Sequence, residues 1–341
     1  MIKRELEKKL HALNISAAVI DVKENDFYLS FLLRLAPDVT INKLRARLED
    51  LSIFLGGPVE LDTSGGAVVL KLANSNRQKV GIYNYTCDIS GGLAGYEIPL
   101  IIGQSENGTR LYYDLVKAPH LLAAGSTGSG KSVFMHNCIL SALYSGKTNI
   151  VLIDVKRVEF AIYEGLPHLC APVRYTAPDA LATLRDVNAE LARRYDMLQQ
   201  NGARNILEYR NRGGNLNYIA VFIDELADLF LTDKRIEKEV VKIAQLGRAA
   251  GIHLVVATQR PDSQIINGLI RANIPSRVCF AVQKATDSRI ILDQSGGEKL
   301  RGAGDGLFMP IGSKEALHFQ APFISTAALQ KAVELARHCN D

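Results

Sequence analysis

Eight consecutive residues, Gly125, Ser126, Thr127, Gly128, Ser129, Gly130, Lys131 and Ser132, satisfy the phosphate-loop pattern G-x-x-x-x-G-K-[ST] at every required position. No other stretch narrows the possible folds so far. Glycines let the backbone curl until its amides point at phosphate oxygens, the lysine adds charge, and the serine hydroxyl can hold Mg2+. An apolar run at 121–124 reads as a buried strand before the loop, and 133–144 reads as a helix after it, which sets the phosphates at a helix N-terminus. The expected nucleotide is ATP, bound by residues 125–132 and Val133, with Lys131 on its phosphates and Ser132 on Mg2+.

Further strands are expected at 150–153, 218–223, 254–258 and 278–282, with helices over 177–200 and 235–250 between them. This alternation predicts an α/β fold with a parallel sheet. The apolar run 218–223 leads directly into Asp224 and Glu225, two carboxylates at a strand's carboxyl end, where open α/β sheets bind ligands. Asp224 is expected to hold Mg2+, and Glu225 to take a proton from the water attacking the γ-phosphate. Solvated loop acids are the plain alternative. Gln259, or its neighbour Thr258, ends the strand expected beside that of Asp224 and can touch the γ-phosphate. His253, at that strand's start, reads as structural, and the role of Asp154 stays open. Arg248 lies near a helix C-terminus, where a cation is favourable whatever the function; in ring ATPases an arginine of this kind can also act on a neighbouring subunit's phosphate.

Residues 1–105 read as a small, separate α/β domain: a helix over 2–13, strands at 16–22 and 27–33, a helix over 41–54, and short strands at 59–61 and 67–71 with a turn at 63–66 between them. A Gly-containing stretch, 90–108, is expected to separate it from the ATPase domain, 106–341. With 341 residues, 47% of them apolar, the chain has length for about two domains. No apolar run approaches the roughly 18 residues that span a bilayer, and a cytoplasmic protein is expected. Five scattered cysteines (Cys87, Cys138, Cys170, Cys279, Cys339) read as free, mostly buried thiols. The net charge of +4 is too mild to announce a nucleic-acid partner. Basic residues do recur at Arg260, Arg271, Arg277, Lys284 and Arg289, and the glycine turns at 295–297 and 302–306 are expected to approach a phosphate backbone. A second basic loop spans 204–212.

These residues resemble the motor region of the FtsK/SpoIIIE family of double-stranded DNA translocases. The likeness is carried by Pro119-His120-Leu121-Leu122 leading into the loop, Ile153-Asp154-Val155-Lys156, Val158-Glu159-Phe160 with Tyr163, Ile223-Asp224-Glu225, Gly251-Ile252-His253-Leu254, Ala257-Thr258-Gln259-Arg260-Pro261, Ala272-Asn273-Ile274-Pro275 and Asp287-Ser288-Arg289. It implies a RecA-like P-loop NTPase core joined to a small N-terminal α/β domain, assembled as a homo-hexamer around duplex DNA. By the same resemblance Arg248 looks like the finger that acts across subunits, and Arg260, Arg271, Lys284 and Arg289 look like DNA-gripping residues. Asp262 and Ala285 depart from the family wording, which commonly has Ser and often Lys there. The resemblance does not extend to the family's winged-helix γ subdomain or to a membrane anchor. Secretion motors that act on a protein substrate share a related core and form the alternative.

Overall fold

The computed structural model describes residues 2–25, 27–63, 66–74, 80–91, 93 and 95–338. The turn residues Ser64 and Gly65 and the thiol Cys339 lie outside the described residues. The chain folds as two compact units, residues 1–79 with 106–109, and residues 80–105 with 110–341.

In the smaller unit, helix α1 (Ile2–Ala12) is followed by strands β1 (Ala17–Glu24) and β2 (Tyr28–Leu35), helices α2 (Ile41–Arg45) and α3 (Leu48–Leu55), and strands β3 (Val59–Asp62) and β4 (Val68–Ala73). The strands pair antiparallel in the order β1-β2-β4-β3. Leu6 and Leu10 of α1, Phe31 and Leu33 of β2, Leu44, Leu51 and Leu70 make its core. The single helix expected over 41–54 is two helices. Arg47 N–H bonds the carbonyl of Leu44, three residues back, and this tighter turn breaks the α-helical run.

The larger unit opens with α4 (Tyr83–Ser90), β5 (Pro99–Ser105), β6 (Arg110–Asp114), β7 (His120–Ala124), α5 (Lys131–Tyr144) and β8 (Thr148–Ile153). It continues through α6 (Ala177–Gln200), α7 (Ile206–Asn211), β9 (Tyr218–Ile223), α8 (Leu226–Thr232), α9 (Lys234–Ala250) and β10 (Ile252–Thr258). It ends with α10 (Gly268–Asn273), β11 (Ser276–Phe280), α11 (Ala285–Leu292), β12 (Asp305–Met309), β13 (Leu317–Gln320) and α12 (Thr326–His338). One sheet runs β6-β5-β13-β12-β11-β7-β10-β9-β8. Its half from β11 to β8 is parallel, and the half from β6 to β12 is antiparallel and joins β11 antiparallel.

The boundary expected at residue 105 falls at the end of β5, a strand of the larger unit, and the two units divide between residues 79 and 80 instead. Leu100 and Ile102 of that strand are buried in the main core and β5 pairs with both β6 and β13, so the Gly-containing stretch is partly sheet and not a linker. Alternation along the central strands fills two cores. Leu121, Ala123, Phe222, Val255 and Ala257 face the side covered by α5 and α12, while Leu122, Ala124, Ile223, Leu254 and Val256 face the side covered by α6, α8 and α9. Strands covered on both faces explain the unbroken apolar runs in the sequence. The expected thiols divide evenly: Cys138 and Cys279 are buried, Cys87 and Cys170 exposed, all four free.

At the amino ends of β7 and β10 lie two wholly buried histidines, His120 and His253. His253 Nδ1 is 2.8 Å from the Pro119 carbonyl, and His120 Nδ1 accepts the Leu254 N–H at 3.0 Å. Burial above all pushes His253 down to about 4 and His120 to about 3, against about 6.5 for an unfolded chain. Between those values the unfolded chain binds more protons than the folded one, so stability falls as pH drops from about 6.5 toward 4. His253→Asn, which keeps a donor for Pro119, is expected to flatten that slope by about one proton, or about 1.4 kcal/mol per pH unit. Denaturant unfolding at pH 7, 6 and 5 measures it; an unchanged slope would show that His253 charges in the folded state as well.

Candidate nucleotide site

The loop after β7 is fixed from both sides before any ligand is considered. Gly125 N–H bonds the carbonyl of Thr258 at the end of β10, and Ser126 N–H bonds the carbonyl of Ala281 just beyond β11. The glycines at 302–304, expected to approach DNA, pack against this loop instead. Gly304 N–H donates to the Ser129 carbonyl at 2.8 Å, and a Cβ on Gly130 (φ +104°) would stand 2.4 Å from the Gly304 nitrogen. Gly304 itself (φ +90°) leaves room for the Gln320 side chain, whose amide donates to the Ala303 carbonyl at 2.9 Å. The phosphate loop therefore rests on the turn that enters β12.

Lys131 and Asp224 are each about 3% exposed at the side chain, and their charges meet at 3.1 Å; Lys131 Nζ also donates to the Asp224 carbonyl at 3.0 Å. Burial pushes the Asp224 carboxyl up, and the Lys131 charge opposes that rise. Glu225, 2% exposed, caps α8. Its carboxylate accepts from Thr258 Oγ1 at 2.6 Å, from the Gln259 N–H at 3.0 Å and from Lys156 Nζ at 3.3 Å. Gln259 then closes a bridge, because its Oε1 accepts from Thr127 Oγ1 at 2.9 Å. The Thr127–Gln259–Glu225 contacts and the Lys131–Asp224 pair thus lie side by side, adjoining at the consecutive residues Asp224 and Glu225. Thr258 and Gln259 both take part, Thr258 through its bond to Glu225.

The donor set suits Mg2+ and a polyphosphate. A magnesium ion bound with phosphates needs only one or two protein oxygens, which Ser132 and Asp224 could supply. Ser129 Oγ is buried without a protein partner inside the loop, and Gly125 presents bare backbone beside it: a Cβ there would lie 2.8 Å from that oxygen. A cradle of this shape, at the start of α5, fits an anion.

Other expected site residues lie away from the cluster. Arg248 is exposed in the last turn of α9 and donates to the Lys117 carbonyl at 3.1 Å. It sits at the amino end of β10, roughly 20 Å of strand from Gln259. Arg260, Arg271, Lys284 and Arg289 are exposed. Arg271 shares the Asp293 carboxylate with Arg277, at 3.0 and 2.8 Å. Asp262 accepts the Gln264 N–H and shapes the local turn. Asp154 is a loop staple: its carboxylate accepts backbone N–H bonds from Lys156, Arg157, Glu159 and Phe160 at 2.9 to 3.2 Å. Two residues with no role assigned from the sequence reach the site through that loop. Lys156 pairs with Glu225 and Asp228, and Glu159 approaches α5.

The family model for the FtsK/SpoIIIE family matches residues 96–217 and 210–263. A DNA translocase FtsK of Oceanobacillus iheyensis is 36% identical over 98% of this chain and 45% of its own length. The DNA translocase SpoIIIE of Bacillus subtilis is 35% identical over 97% of this chain and 44% of its own. The chain spans about half the length of these relatives. Among solved structures, the pCW3 conjugation coupling protein TcpA with ATPgS aligns over 98% of this chain and 99% of its own, with TM-score 0.71 and 24% identity. The type VII secretion ATPase EccC of Thermomonospora curvata aligns over 71% of this chain and 31% of its own, with TM-score 0.64 and 22% identity. These two likenesses show the fold alone, an α/β core of the RecA-like P-loop kind.

Gly304→Ala tests the support beneath the loop. The added methyl meets the Ala321 carbonyl at 3.2 Å and strains a left-handed backbone. It is expected to weaken binding of a fluorescent ATP analogue about tenfold, about 1.4 kcal/mol, from a position 174 residues beyond Gly130. Unchanged affinity would show that the turn does not support the loop.

Proposed function

The chain belongs to the FtsK/SpoIIIE family, and from that premise we propose that it is an ATP-driven motor, cytoplasmic and homo-hexameric, that moves double-stranded DNA through its ring. The observation that carries the reading is the unbroken set of contacts from Thr127 through Gln259 to Glu225, beside the Lys131–Asp224 pair. It joins the phosphate loop, a metal carboxylate, a second carboxylate and a polar strand-end residue, the parts that phosphoryl transfer to water requires.

In this reading the amides of residues 125–133 and the Lys131 ammonium hold the ATP phosphates, and Ser132 and Asp224 hold Mg2+. Magnesium, when bound, supplies positive charge to the phosphate oxygens. Glu225 takes the proton of the attacking water. Its carboxylate already has donors in Thr258, Gln259 and Lys156, so the half-exposed Lys156, shared with Asp228, is the partner most readily given up. Gln259 relates the γ-phosphate to Glu225, since one of its ends touches the loop and the other touches the carboxylate. Arg248, remote from its own loop, acts on the nucleotide of a neighbouring subunit. Arg260, Arg271, Lys284 and Arg289 contact DNA phosphates, for which exposure and positive charge suit them. None of the described helices is long and apolar enough to cross a membrane.

The test is steady-state ATP hydrolysis with and without long linear duplex DNA at two salt concentrations. DNA is expected to stimulate turnover in a salt-sensitive manner. Lys131→Ala is expected to abolish turnover, and Glu225→Gln to keep ATP binding while losing about 10²- to 10⁴-fold in rate. Replacing Arg260, Arg271 and Arg289 together is expected to remove the DNA effect and spare basal turnover. Turnover indifferent to DNA would point to a protein substrate, and near-normal turnover in Glu225→Gln would overturn its role as base.

A further inference from the structure

The two carboxylate oxygens of Glu225 are not equally accessible to a new partner. Oε1 accepts from Thr258 Oγ1 at 2.6 Å, from the Gln259 N–H at 3.1 Å and from the Ala227 N–H at 3.4 Å. Oε2 accepts from the same Gln259 N–H at 3.0 Å and from Lys156 Nζ at 3.3 Å. Each carboxylate oxygen offers about two lone-pair sites, so Oε1 is fully taken. On Oε2 the Lys156 ammonium takes the site that the Gln259 N–H leaves over. A proton drawn from water has to arrive where Lys156 now sits.

The backbone beneath Lys156 is fixed, while its side chain is long. Asp154 Oδ1 accepts the N–H groups of Lys156 and Arg157 at 3.2 and 3.1 Å, and Arg157 follows with a left-handed φ of +59°. From that anchored point a flexible four-carbon stem carries a compact ammonium with rotatable donors. A second acceptor is within its reach. Asp228 stands in the first turn of α8, which Glu225 caps, and its Oδ2 is 3.7 Å from the same Nζ. The Glu225 side chain is 2% exposed and that of Asp228 31%, so an ammonium that turns to Asp228 also gains water.

We propose that Lys156 is a positioning residue for the base, with two resting places: on Glu225 it covers Oε2 and holds hydrolysis back, and on Asp228 it leaves Oε2 open to the attacking water. The inference rests on the reading of Glu225 as the base. Lys156 acts through Glu225 and needs no contact with the nucleotide, so it sets kcat and leaves the KM for ATP alone. A contact present in the ground state and given up in the transition state slows the reaction by its own strength. For a half-exposed ion pair that is about fivefold in rate, or about 1 kcal/mol.

The experiment is steady-state ATP hydrolysis by the full chain without DNA, over a range of ATP concentrations. In Lys156→Gln, kcat is expected to rise about fivefold with KM unchanged. In Asp228→Asn, which removes the second resting place, kcat is expected to fall about threefold, again at constant KM. In the double variant the Asp228 effect is expected to vanish, because no ammonium remains to be placed. A pair that only stabilised the fold would not give opposite signs. Affinity for a fluorescent ATP analogue reports on folding, and Lys156→Met, which keeps the stem and drops the charge, replaces Lys156→Gln if that variant does not bind. An unchanged or lower kcat on loss of the Lys156 charge, a raised KM for ATP, or an Asp228→Asn kcat that does not fall, or falls equally with and without Lys156, would each overturn the inference and leave Glu225 as the base. Near-normal turnover in Glu225→Gln would overturn the base reading itself, and the inference with it.

Discussion

The larger unit is organised by the need to bring Lys131 and Asp224 together out of water. Each charge alone would be costly at such burial, and removing one partner of a buried pair typically costs about 3–5 kcal/mol. The two residues leave different strands, and β10 lies between those strands in the sheet order β7-β10-β9. Two strand spacings amount to roughly 10 Å, so the lysine side chain has to reach over the carboxyl end of β10. That end is therefore part of the site by necessity, and its residues, Thr258 and Gln259, are tied to Glu225 and to Thr127.

The placement of residues at consecutive or strand-end positions was readable from the chain. The phosphate loop is a local pattern, and Asp224, Glu225 and Gln259 each end an apolar run whose direction follows from the α/β alternation. The parallel half of the sheet was readable for the same reason, since strands buried on both faces announce themselves as unbroken apolar runs. β5 and the entry to β12 were not. Their glycines look like linkers or surface loops, and only pairing with distant strands, or contact with the phosphate loop, shows them to be part of the core. Glu159 and Lys156 were hidden differently: Asp154 folds five residues into a reversal that no periodicity encodes.

The antiparallel half of the sheet has a clear mechanical purpose. It carries no part of the proposed chemistry in its own side chains, yet its first turn bears on the loop from behind through Gly304, and Gln320 of β13 secures that turn. In the proposed mechanism the parallel half supplies the reacting groups, and the antiparallel half limits how far they can yield. Charge on the outer surface is arranged more loosely. Arg271 and Arg277 converge on Asp293, an exposed carboxylate whose pairing with Arg271 is weak by the usual standard of surface ion pairs.

The contact between Gly130 and Gly304 makes the phosphate loop a composite object. Its signature occupies eight adjacent residues, but its shape is a property of two chain segments that meet backbone to backbone. Transplanting the signature alone into another strand-loop-helix unit would carry the letters without the buttress. A chimaera that preserves this loop geometry has to inherit both segments as one module, with the hairpin of β12 and β13 included.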